Sequence, residues 1–126
     1  LDFTLTFWRL ADLADKSTEA EGSVAVLFEF PDSVQPWLER WHTRLAQEST
    51  SSTERQALMY RNNPVFIPRN HLVEAAIVSA TDKGNLSTFD KMVDTLEKPY
   101  QYRKALALFA TPPKTDQVVR QTFCGT

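Results

Sequence analysis

Few side chains in this sequence are placed to do chemistry, and each has a competing structural use. Cys124 is the sole cysteine, third from the end, and it is followed by Gly125 in a polar stretch. A structural cysteine normally sits inside an apolar periodic segment, whereas a thiol on a terminal arm can meet a second cysteine and form a reversible disulfide. Arg69 stands in Ile67-Pro68-Arg69-Asn70-His71. The proline fixes the backbone just ahead of a helix start, so the guanidinium is aimed either at a neighbouring domain or at carbonyls of its own fold. Arg40 and Arg44 lie one helical turn apart and would clamp an acidic partner, or pair along a solvated face.

Other combinations reduce to architecture. His71 and Glu74 share a helix face, but His42, His71 and Cys124 are too far apart in sequence to read as a metal set. Asp90 and Asp94 are spaced like paired carboxylates, yet they alternate with Phe89, Met92, Val93 and Leu96, the pattern of a solvated face opposite an apolar one. Trp37 and Trp41, at i and i+4 beside Leu38 and Leu45, read as core packing. With only three glycines, at 22, 84 and 125, no phosphate loop or dinucleotide fingerprint can be written. No nucleophile elbow or Ser/His/Asp constellation is present. Asn85-Leu86-Ser87 fits a glycosylation acceptor and reads equally as a turn and helix cap.

Composition narrows the partners. The chain has 126 residues, 14 Lys and Arg against 16 Asp and Glu. Residues 1–63 carry ten acidic and six basic side chains, and 64–126 carry six and eight. Neither half has a basic run that could neutralise several phosphates, so no nucleic-acid partner is expected. No apolar stretch reaches the roughly 18 residues needed to span a bilayer, so no membrane partner is expected either. One cysteine cannot crosslink itself, and a lone thiol suits a reducing compartment; a cytoplasmic location is the expectation. Leu1 stands where an initiator methionine would, which suggests a segment of a longer polypeptide.

The elements that would position these residues are helices. Phe3, Phe7, Leu10, Leu13 and Ala14 form one stripe, predicting a helix over 3–15 capped by Asp2 or Thr4. Residues 23–30 alternate like a strand, but a lone strand has no partner in a helical chain, so they are read as helical. Ser33 and Pro36 open a helix over 34–48, with Trp37, Leu38, Trp41 and Leu45 inward. Thr53-Glu54-Arg55-Gln56 reads as a capping box for a helix ending near Asn62 and Asn63. Pro64 and Pro68 make 63–70 extended, pinned by Val65, Phe66 and Ile67. Asn70 caps a helix with Leu72, Val73, Ala76, Ile77 and Ala80 inward, and Gly84 closes it. Ser87 caps the next, with Phe89, Met92, Val93 and Leu96 inward, stopped at Lys98-Pro99. A short helix over 102–109 ends at Thr111-Pro112-Pro113. The expected fold is all-α, five to six helices in a domain over 1–110, with 111–126 a flexible tail carrying Cys124.

Three stretches together resemble the C-terminal region of the selenoprotein O (YdiU) family: Asn63-Pro64-Val65-Phe66-Ile67-Pro68-Arg69-Asn70-His71 with the helix after it, Phe89 to Tyr100, and Thr122-Phe123-Cys124-Gly125-Thr126. The helices at 37–45 and 53–63 are also similar. The resemblance implies a parent with a protein-kinase-like fold that binds ATP and Mg²⁺ and transfers AMP to hydroxyl side chains of protein substrates. It places the catalytic lysine, glycine-rich loop and metal-binding Asn and Asp upstream, so no catalytic, cofactor-binding or metal residue is carried onto this chain. One position does carry over. Cys124 stands where the family has a selenocysteine or cysteine able to pair with a cysteine of the core and make activity redox-sensitive. The tail departs from the family's common Ser-Ser ending in having Gly125-Thr126.

The sequence thus supports two readings. In the first, this is a helical C-terminal domain of a protein adenylyltransferase, inactive alone, docked on the upstream kinase-like domain, with Arg69 as a domain contact and Cys124 as a regulatory thiol. In the second, it is a stand-alone helical interaction module that holds an acidic partner through Arg40, Arg44 or Arg69.

Overall fold

Asp2 begins the first helix by two routes. Its Oδ1 accepts from the Leu5 backbone N–H at 2.9 Å, and its carbonyl accepts from Thr6 N–H and Thr6 Oγ1, satisfying donors that have no partner within the helix. The computed structural model describes residues 2–14, 24–28 and 31–120. Among these the chain is all-α: α1 (Phe3–Ala14), α2 (Gln35–Leu45), α3 (Ser52–Asn62), α4 (Asn70–Lys83), α5 (Ser87–Leu96) and α6 (Ala107–Ala110), with short 3₁₀ turns at Pro31–Val34, Lys104–Leu106 and Thr115–Gln117. No described residue is in a strand. Val24 to Phe28 make helical turns through Leu27 N–H to Val24 O and Phe28 N–H to Ala25 O. The alternating octet is therefore not a strand over its described part; residues 23, 29 and 30 lie outside it.

The chain divides into two compact units, Leu1–Val65 and Phe66–Thr126. In the first, Leu10, Leu13, Val24, Val34 and Leu38 form a buried cluster, and Ala25, Phe28, Trp41 and Met59 pack against it. α1 lies along α3. Gln56 Nε2 donates to Ala11 O at 3.0 Å, the Tyr60 hydroxyl donates to Asp12 Oδ1, and the Trp8 and Tyr60 rings sit 4.4 Å apart. Of the stripe predicted for α1, Leu10, Leu13 and Ala14 are buried, joined by Leu5 and Ala11, while Phe3 is 72% exposed with its ring tilted against Phe7. Apolar spacing identifies the helix but leaves open which edge of a broad apolar face meets the neighbour.

The caps moved in several places. Ser51, not Thr53, opens α3: Glu54 N–H donates to Ser51 Oγ at 3.2 Å, and Ser51 N–H donates to Glu54 Oε2 at 3.2 Å. A carboxylate accepts more strongly than the amide of Gln56, which is occupied by Ala11. The Ser51 hydroxyl, donating to Glu54 Oε2 at 2.7 Å, and then the Ser51 N–H hold the Glu54 carboxyl below its ordinary pKa. At α2 the 3₁₀ turn ends in Val34, the N-cap, instead of Ser33, and the helix stops at Leu45.

In the second unit α4 and α5 form a hairpin. Gly84 terminates α4 as expected, at φ +60°, with its N–H on Ala80 O and Asn85 N–H reaching Ser79 O. Leu86 is the N-cap of α5, one residue before the Ser87 predicted for it, and Asn85 Oδ1 accepts from Ser87 N–H at 2.9 Å. Phe66, Ala76, Met92, Thr95, Phe109 and Ala110 are buried. Phe89, Val93 and Ile77, expected inward, are between 41% and 49% exposed. Lys104–Leu106 and α6 follow, and Lys114 N–H closes a turn on Gln117 Oε1 at 3.0 Å. The rest of the expected tail, residues 121–126 with Cys124, lies outside the described residues.

Candidate functional site

The segment Phe66 to Asn70 is built to carry Arg69. Phe66 is 1% exposed and its N–H donates to Pro99 O at 3.1 Å, tying the segment to the end of α5. Tyr102 stacks on the Phe66 ring at 6.3 Å and the Arg103 guanidinium lies 5.6 Å from its centroid. The same guanidinium donates to Thr95 O at 2.8 Å and Asp94 O at 3.3 Å, satisfying carbonyls at the end of α5. This second use of an arginine was not legible in the sequence, where Arg103 follows Tyr102 without periodicity.

Arg69 itself is the N-cap of α4, with extended backbone at φ −66° and ψ 131°, and its carbonyl accepts from Leu72 and Val73 N–H. Asn70, predicted as the cap, is instead the first helical residue. Arg69 is 8% exposed, so it is an interior arginine and not a surface clamp. It shares the wall of a cleft of about 330 Å³ with Pro68, Asn70, His71 and Gln117. Burial, reinforced by the Arg69 charge, lowers the His71 pKa from its ordinary value. His71 Nδ1 is buried with no hydrogen-bond partner. The cleft presents the Arg69 guanidinium, the His71 imidazole and the side-chain amides of Asn70 and Gln117.

The remaining candidates are separate from this cleft. Arg44 is paired with Glu48 at 3.2 Å, and Glu48 also accepts from Arg55 Nε at 3.3 Å. Arg40 is exposed. Trp37 and Trp41 stack at 6.0 Å, with Trp41 against the core and Trp37 42% exposed. Asp90 and Asp94 are exposed on α5. His42 belongs to the first unit and His71 to the second, and no group of three His, Cys, Asp or Glu able to hold a metal ion occurs among the described residues. No described helix is long and apolar enough to cross a membrane.

The sequence profile of the family described as protein adenylyltransferase SelO matches residues 1–97. This chain belongs to the SelO family. It is 48% identical over 125 residues to protein nucleotidyltransferase YdiU of Rhizobium meliloti, 45% to that of a Bradyrhizobium species and 44% to that of Rhizobium leguminosarum. In each case the match covers 99% of this chain and 25% of the relative. The chain therefore spans about a quarter of the length of these SelO relatives. The matched residues include the whole Arg69 segment and the α4–α5 hairpin.

Proposed function

We propose that this chain is the helical C-terminal region of a protein adenylyltransferase that moves AMP from ATP, with Mg²⁺, onto hydroxyl side chains of other proteins. In this reading a kinase-like domain elsewhere in the polypeptide binds nucleotide and metal, and the present helices support it. The observation that carries the proposal is the match of residues 1–97 to the SelO family, with relatives named as protein nucleotidyltransferases that are about four times as long.

Cys124 would act as a regulatory thiol by pairing with a cysteine elsewhere in the polypeptide. Two thiols would give up two electrons and two protons, reducing an external disulfide such as oxidised glutathione. Cys124→Ser should abolish a band shift seen on non-reducing gels of the longer protein after oxidation; an unchanged pattern and unchanged activity would overturn the redox role.

The test of the main reading is intact-mass spectrometry after incubation with ATP, Mg²⁺ and an acceptor protein under reducing conditions. The full-length polypeptide should add the mass of AMP to acceptor or to itself, and the 126-residue chain should add none. No addition with either would favour the stand-alone module. Of the three arginines that alternative would use, Arg40 and Arg44 are exposed, Arg44 in a surface ion pair with Glu48, and Arg69 is interior.

A further inference from the structure

α5 buries the wrong side chains for a helix whose main packed neighbour among the described helices is α4. Its fully buried position is held by Thr95, whose hydroxyl must be satisfied by Lys91 O at 2.6 Å. Phe89 and Val93, two of its largest apolar residues, face outward at 49% and 41% exposure, and Leu86 at its start is 56% exposed. These three are at i, i+3 and i+7, one stripe of the helix surface. Met92 adjoins the stripe on its buried side, and the exposed carboxylates Asp90, Asp94 and Glu97 border it on the other. α5 therefore has two apolar edges, and only one is covered.

A stripe of this kind, apolar at its centre and charged along its rim, has the anatomy of an interface. We infer that Leu86, Phe89 and Val93 form the surface by which this segment docks on the remainder of its own polypeptide, against an apolar face edged with Lys or Arg opposite the three carboxylates. The choice of occupant rests on length and on charge. Relatives carry three quarters of their residues outside the matched segment, and a tethered neighbour is present at an effective concentration that a second copy does not reach. The inference rests on the reading of the chain as part of a longer protein, but its test does not depend on AMP transfer.

The experiment compares thiol labelling in the full-length polypeptide at three positions on the same helix, read peptide by peptide in mass spectrometry. Phe89→Cys and Val93→Cys lie on the stripe, and Lys91→Cys is exposed off it. A maleimide should modify position 91 at the rate of a free thiol, and positions 89 and 93 at least tenfold more slowly, independent of protein concentration. Equal rates at all three would overturn the inference. Protection that disappears on dilution would also overturn it, by assigning the stripe to a second copy. As a second measurement, Phe89→Glu should lower the melting temperature of the full-length protein by several degrees more than Lys91→Glu does; equal shifts would count against the surface. If the positions are protected and no AMP transfer is found, the activity falls and the docking surface stands.

Discussion

Tyr60 and His71 show how much of a side chain's state is decided by where the fold puts it. Burial first, and then the hydrogen bond to Asp12, push the Tyr60 phenol far above its ordinary pKa, so it stays protonated and donates to a carboxylate. Tyr60→Phe should cost about 1.5 kcal/mol, the scale of a hydrogen bond to a charged group, measured as a shift in urea midpoint at unchanged slope. For His71 the sign runs the other way. Its folded-state pKa lies below the unfolded value of about 6.5, so the unfolded chain binds more protons as pH falls through that value, and stability is lost there. NMR titration should find the His71 resonances changing below about pH 6.5; a midpoint at or above that value would contradict the described surroundings.

At the scale of elements, the hairpin of α4 and α5 depends on one backbone conformation. Gly84 sits at φ +60° with open space where a Cβ would be, so a substitution there meets no clash and tests the backbone alone. Gly84→Ala should destabilise by about 1 kcal/mol, the cost of holding a non-glycine residue in the left-handed region, seen as a lower thermal midpoint with unchanged helix content. This stop was legible because glycine after an apolar period has few other uses. The helix starts were less legible. Ser33, Asn70 and Ser87 are all plausible caps by type, but Val34, Arg69 and Leu86 hold those positions. The side-chain oxygen that caps a helix depends on local geometry, and Asn85 reaches Ser87 N–H from just outside α5.

For the whole molecule, the proposed supporting role predicts that stability and catalysis separate. Leu38 is completely buried in the first unit, and Leu38→Ala should cost about 3 kcal/mol through lost burial and the cavity left behind. In the full-length protein, AMP transfer per folded molecule and the KM for ATP should remain unchanged, because the loss acts on the folded fraction. A changed KM at full folding would show that these helices reach the nucleotide site and would require a direct catalytic role.

The sequence by itself determined the helices, their order, the turn at Gly84 and the kinship, because apolar spacing, prolines and a long matching segment are all read along the chain. It also marked Phe3, Phe7, Ile77, Phe89 and Val93 as residues meant for burial. Only the tertiary structure decided which of them are covered within this chain, and the answer was that all five stay substantially exposed. It likewise placed Arg69 in the interior and set Arg103 on the Phe66 ring beside the last carbonyls of α5. The physical reason is that periodicity reports how wide an apolar face is, whereas its cover depends on which neighbours the chain brings to it.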